Sequence, residues 1–132
     1  MRVVFDSNIF VSALTLPGGK ADAAVLRVID CEVTLVISHE IIDEVLTVLA
    51  RKFSRDAEAL SRVAINLAEI GETVRPAERL RVLDDDSDNR ILECAIAGRA
   101  EAIVTGDKAM LALKTYRHIR IISLSEFLRE GE

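Results

Sequence analysis

Val3-Val4-Phe5-Asp6 is a short apolar run closed by a carboxylate, and Ala102-Ile103-Val104-Thr105-Gly106-Asp107 repeats the arrangement late in the chain. Each run predicts a buried strand, over Arg2 to Phe5 and over Glu101 to Thr105, with an acid just past its end. Between them strand-like and helix-like stretches alternate. Asn8 to Leu16 can form a helix that stops at Pro17-Gly18-Gly19. Ala21, Ala24, Val25, Val28 and Ile29 fall at helical spacing, ending near Asp30 or Cys31. Val33 to Ile37 reads as a strand covered on both faces, and Ser38 offers the N-cap of an amphipathic helix reaching about Lys52. Leu60, Val63, Ala64, Leu67 and Ile70 form the stripe of another helix, capped near Ser54 and closed by Gly71.

A weak strand around Thr73-Val74-Arg75 precedes a polar connection ending in Asp84-Asp85-Asp86-Ser87-Asp88. Asp88 to Gly98 then reads as a helix, Lys108 to Lys114 as a short one, and Ile119 to Ile122 as the last strand. Ser123-Leu124-Ser125-Glu126 is a capping-box pattern opening a terminal helix. Strands alternating with helices imply an α/β fold with a parallel sheet covered on both faces, in a single domain over residues 1–132.

With 132 residues and 50% apolar content, the chain can bury a core without disulfides or structural metal. No apolar run approaches the roughly 18 residues of a membrane span, and no signal-peptide pattern opens the sequence, so a cytoplasmic protein without membrane partners is expected. Cys31 and Cys94 sit in helix-like apolar surroundings and are expected as buried packing thiols. His39 and His118 read as surface residues. A net charge of −5 speaks against broad electrostatic binding of nucleic acid. Arg51, Lys52, Arg55, Arg90, Arg99, Lys108, Arg117 and Arg120 remain to form a local basic rim. Aromatic residues, at 4%, are too sparse for extended base stacking.

The chemistry lies in the acids. Strand carboxyl ends border the ligand crevice of an open α/β sheet, so Asp6 and Asp107 are expected to face one another there. On a helical wheel Asp88 shares the apolar stripe of Ile91, Leu92 and Ala95. A carboxylate on that stripe must cap its helix, pair, or bind a cation, and Ser87-Asp88 is placed to cap. On the Ser38 helix, Glu44 lies about 40° beyond Val48 and borders the core, whereas Asp43 and Glu40 lie further toward solvent. Carboxylates gathered this way suit a hard divalent cation and, through it, phosphodiester hydrolysis. Gly18-Gly19-Lys20 follows a helix rather than a strand and lacks the other positions of a phosphate loop, so it reads as a turn.

Four segments in this order resemble the PIN-domain nucleases, the fold of VapC-type toxins: Val3-Val4-Phe5-Asp6-Ser7-Asn8; Ile37-Ser38 through Glu44-Val45-Leu46; Asp88-Asn89-Arg90-Ile91-Leu92-Glu93-Cys94-Ala95; and Val104-Thr105-Gly106-Asp107. The resemblance spans nearly the whole chain. It implies a three-layer α/β/α sandwich with a mainly parallel sheet, and metal ligation and catalysis by Asp6, Glu44, Asp88 and Asp107. It also implies that Ser7, Asn8 and Thr105 hold the carboxylates or the attacking water, with Asp85 as a further candidate ligand. The activity implied is a ribonuclease dependent on Mg2+ or Mn2+, the toxin of a toxin–antitoxin pair. Its implied partners are an RNA substrate, a second copy of the chain and an antitoxin protein.

Two other functions compete. A PIN-like domain acting only through partners would have no physical reason to keep four mutually repelling acids. A phosphoacceptor receiver domain needs paired acids after its first strand and an aspartate ending its middle strand. Here Ser7 and Asn8 follow Asp6, and the middle strand ends at Ser38.

Overall fold

The chain crosses its own sheet at one place, and that crossing positions everything chemical. The computed structural model describes residues 1–53 and 56–130. In order these form β1 (Arg2–Phe5), α1 (Ser7–Thr15), α2 (Lys20–Ile29), β2 (Thr34–Ile37), α3 (His39–Phe53), α4 (Ala57–Ile70) and β3 (Gly71–Thr73). There follow α5 (Asp86–Ala97), β4 (Ala102–Val104), α6 (Lys108–Ala112), β5 (Thr115–Tyr116), β6 (Ile119–Ile122) and α7 (Leu124–Glu130). The strand order is β3-β2-β1-β4-β6-β5. All pairs are parallel except β5 with β6.

The chain builds outward from β1 to β2 and β3, then returns through α5 to place β4 on the other side of β1. Right-handed crossovers in opposite directions put their helices on opposite faces, which gives the three-layer α/β/α arrangement. The return also makes the β1/β4 boundary the topological switch point, where the loops diverge and leave a crevice. Val3, Val4 and Phe5 pair with Ala102, Ile103 and Val104, all fully buried, so the two strands end level with each other.

The apolar positions picked out along the sequence fill this core: Val28, Leu35, Val36, Ile41, Val45, Leu49, Val63, Leu67, Ile91, Leu92, Ile121 and Ile122 are all buried. Phe5 packs against Phe10 and, edge-on, against Phe127, joining the first strand to the last helix. Gly98 ends α5 directly over Val36, so close that a Cβ there would overlap the valine side chain. The predicted capping box holds: Ser123 Oγ accepts from Glu126 N–H at 3.1 Å.

Several expectations need correction. The third strand lies at Gly71–Thr73 rather than Thr73 to Arg75, because Gly71 passes straight from helix into extended backbone instead of making a separate turn. α5 starts at Asp86 with Asp85 as its N-cap, so neither Ser87 nor Asp88 caps it. The cap expected near Ser54 lies outside the described residues; Asp56 caps α4 by accepting from Ala59 N–H. The hairpin strand β5 has no apolar signal, and Lys114, Arg117 and His118 reach it through positive φ. Cys94 is buried as expected, but Cys31 is exposed, in a left-handed turn just past α2. Both histidines are exposed. Among the described residues, no single helix is long and apolar enough to cross a membrane.

Candidate functional site

Because β1 and β4 end level, their next residues open into the crevice together. Asp6 is the N-cap of α1 and is buried; its Oδ1 accepts from Asn8 N–H at 3.1 Å. Its Oδ2 accepts from the Thr105 hydroxyl at 2.7 Å, and Thr105 Oγ1 in turn accepts from Asp107 N–H at 3.0 Å. One fully buried threonine thus couples the carboxylate after β1 to the backbone of the acid after β4. Asp107 is half-buried and caps α6, its Oδ2 accepting from Met110 N–H at 2.8 Å.

α5 brings the third acid. With Asp85 capping the helix through the Ser87 N–H and hydroxyl, Asp88 is left on the buried stripe without a capping duty. Burial, with the Asp107, Asp85 and Asp6 charges adding to it, pushes the Asp88 carboxyl from 3.8 up to about 7. α3 adds Glu44, half-buried, while Asp43 on the same turn is exposed, as the wheel predicts. A cleft of about 120 Å³ is lined by Asp6, Ser7, Asn8, Glu44, Asp85, Ser87, Asp88, Ile91 and Asp107. The side chains of Ser7 and Asn8 make no hydrogen bond among the described residues.

This donor set is mainly carboxylate oxygen, with no His or Cys among the lining residues. That is the chemistry of a hard cation such as Mg2+, which keeps several of its waters. Among the described residues, no three acids stand close enough to enclose an ion by direct contact alone. Repulsion between uncompensated carboxylates works in that direction, and it adds to burial in raising the Asp88 pKa. A cation that retains water between itself and part of its ligand set fits such spacing.

The residues that hold the site open are less visible in the sequence. Glu93 Oε2 accepts from Leu80 N–H at 2.7 Å and pairs with Arg90 at 2.9 Å, and Arg90 donates to Leu80 O. Asn89 Oδ1 accepts from Val82 and Leu83 N–H, and its Nδ2 donates to Leu83 O. These side chains strap the segment before α5 onto the helix and so fix Asp85. Nothing in their spacing separates them from a solvated face; only the fold shows that α5 has almost no exposed side. Part of the expected basic rim lies elsewhere. Arg90 is consumed by this strap, and Arg55 lies outside the described residues. Arg99, Arg117 and Arg120 line a different cleft at the opposite end of the sheet, where Arg117 pairs with Glu78 and Arg120 with Glu130. Arg79, passed over in the sequence, lines a second cleft beside Glu44.

The family model of the PIN domain matches residues 2–109. The chain belongs to the PIN domain family. The chain is 24% identical over 144 residues to the uncharacterized protein MJ1680 of Methanocaldococcus jannaschii, an alignment covering the whole chain and 92% of that protein. Its fold is similar to a chain in the crystal structure of VapBC2 from Rickettsia felis bound to a DNA fragment from their promoter, with a TM-score of 0.63. That match covers 93% of this PIN domain and 98% of the other chain at 16% identity. The matched region contains all five acids that line the cleft, and Thr105.

Proposed function

We propose that this PIN domain is a metal-dependent endoribonuclease hydrolysing RNA phosphodiester bonds, and that it is the toxin of a toxin–antitoxin pair. The observation that carries the reading is the gathering of Asp6, Glu44, Asp88 and Asp107 in one cleft at the switch point. Four separate elements deliver these acids at a cost in repulsion that a bound cation offsets. Asp6, Glu44, Asp88 and Asp107 are the residues that would hold Mg2+ or Mn2+, with Asp85 at the rim as a further candidate. When bound, such an ion lowers the pKa of a water and offsets charge developing on the phosphate.

The chain's own groups do the rest. Thr105 fixes the orientation of Asp6 by donating to it and ties Asp107 to the same point, so neither carboxylate swings freely. Ser7 and Asn8 present uncommitted polar groups to the cleft, placed to hold the substrate phosphate or a water. In the protein alone, burial and the neighbouring acids raise the Asp88 pKa to about 7, and a bound cation would favour its ionised form. The toxin assignment and its antitoxin partner are supported by the likeness to the VapBC2 structure; a homodimer and a cytoplasmic setting are part of the same proposal.

The test is cleavage of an end-labelled, mixed-sequence single-stranded RNA with Mn2+ or Mg2+, beside EDTA and Asp6→Asn. Cutting that disappears in both controls supports the nuclease and its metal site. Absence of cutting, together with no metal binding by calorimetry, overturns the reading in favour of a non-catalytic module.

A further inference from the structure

Two clefts flank the acid cleft, and they differ in charge. On one side Ser7, Glu40, Glu44, Arg79, Asp86 and Arg90 line about 290 Å³. Three carboxylates there outweigh two guanidiniums, and Arg90 is already committed to Glu93 and Leu80 O. On the other side a cleft of about 460 Å³ has Asn8, Ser12, Lys20, Thr105, Ser123 and Ser125 among its lining residues. Lys20 is the one charged residue that lines it. The ammonium makes a single hydrogen bond, to Ser125 Oγ at 3.0 Å, and no ion pair among the described residues.

This cleft adjoins the acid cleft. Asn8 lines both, and Thr105 is the residue whose hydroxyl holds Asp6. Asn8 and Ser12 stand one turn apart on α1, so they share a face, and neither side chain is hydrogen-bonded among the described residues. A volume near 460 Å³ falls in the range of sites for small organic molecules, about 300–1,000 Å³, and is enough for one nucleotide.

We infer that this cleft receives the nucleotide adjoining the scissile phosphate of a single-stranded RNA, with Lys20 anchoring the next backbone phosphate. The inference rests on the nuclease reading and gives the substrate a direction: the strand leaves the acids on the α2/α7 side, where a cation is free, rather than toward Glu40 and Asp86. Ser125 preorganises the anchor by holding the Lys20 ammonium over the cleft. The uncommitted amide of Asn8 and hydroxyl of Ser12 offer hydrogen bonds to the sugar or base, the polar groups through which RNA is read when its bases are unstacked.

The experiment compares wild type, Lys20→Met and Lys20→Arg in cleavage of a fluorescent single-stranded oligoribonucleotide, with kcat and KM measured at several salt concentrations. Lys20 is exposed, so the methionine variant is expected to match wild type in thermal melting. The expected result is a KM raised about three- to fivefold with kcat little changed, restored by arginine. The slope of log(1/KM) on log salt becomes shallower by about 0.7, the loss of one phosphate contact on a single strand. Equal KM and equal salt slope in wild type and Lys20→Met overturn the subsite and leave the nuclease reading standing. Failure of wild type itself to cut overturns both.

Discussion

Replacing Asp88 by Asn removes a carboxylate that the metal-free fold holds against its preference. The folded pKa of about 7 lies above the ordinary 3.8, so the folded protein binds the Asp88 proton more tightly than the unfolded chain does. Stability is therefore unaffected by this group below about pH 4, falls as pH rises between about 4 and 7, and stays reduced above that. At about 1.36 kcal/mol per unit, the full shift corresponds to ~4 kcal/mol. The cleft is open to water, so screening brings the expected effect to roughly half, ~2 kcal/mol. Asn is nearly isosteric and carries no charge. In EDTA, Asp88→Asn should be about as stable as wild type near pH 4 and more stable by ~2 kcal/mol at pH 8, a rise in Tm of roughly 4–10 °C for a domain of this size. Urea unfolding at several pH values, reading midpoints and slopes, measures the difference. With Mg2+ the order should reverse, because wild type alone keeps the complete ligand set. A pH-independent difference, or a variant less stable at pH 8 without metal, would refute the claim that Asp88 is a repelled acid and make it a structural one.

Other perturbations follow from the same geometry. Asp6→Asn should reduce RNA cleavage at least ~100-fold while leaving the metal-free Tm unchanged or raised, as measured by gel assay and calorimetry. Thr105→Val removes the link between Asp6 and Asp107, leaving the Asp107 N–H without its acceptor. A stability loss of about 1–3 kcal/mol and a roughly 10–100-fold fall in kcat are expected from denaturant melts and steady-state kinetics. Gly98→Ala drives a methyl into Val36 and should cost ~1–3 kcal/mol in the same melts, with the site chemistry intact in the protein that remains folded. Burial pushes the Cys94 thiol up to about 12, whereas Cys31 is exposed, so a thiol reagent at pH 8 should modify one cysteine in the native protein and two after unfolding.

Strands β1, β2, β4 and β6, the helices of the described residues and the places of Asp6 and Asp107 beyond buried strands were legible in the sequence. Those features depend on local rules: a run such as Val3-Val4-Phe5 is too apolar for any exposed strand, and Ser123 with Glu126 forms a cap within one turn. Asp6 and Asp107 were legible for the same reason, each following a buried strand, whereas helical phase favoured Glu44 over Asp43 by a small margin and the family resemblance singled it out. What capped α5 was not legible, since Asp84 through Asp88 offers several equivalent caps and only the packed loop selects Asp85. Nor was the strap of Asn89, Arg90 and Glu93, whose partners are backbone groups of an irregular segment without periodicity. The fate of the arginines depended on which end of the sheet each reached, and β5 on left-handed backbone at residues that do not advertise it. Tertiary structure decided these points because they are set by contacts between segments distant in sequence, whereas a local pattern reports only what a residue needs. Asp88 needed a counter-charge or a proton; the fold, by closing β1 against β4, determined which acids stand around it.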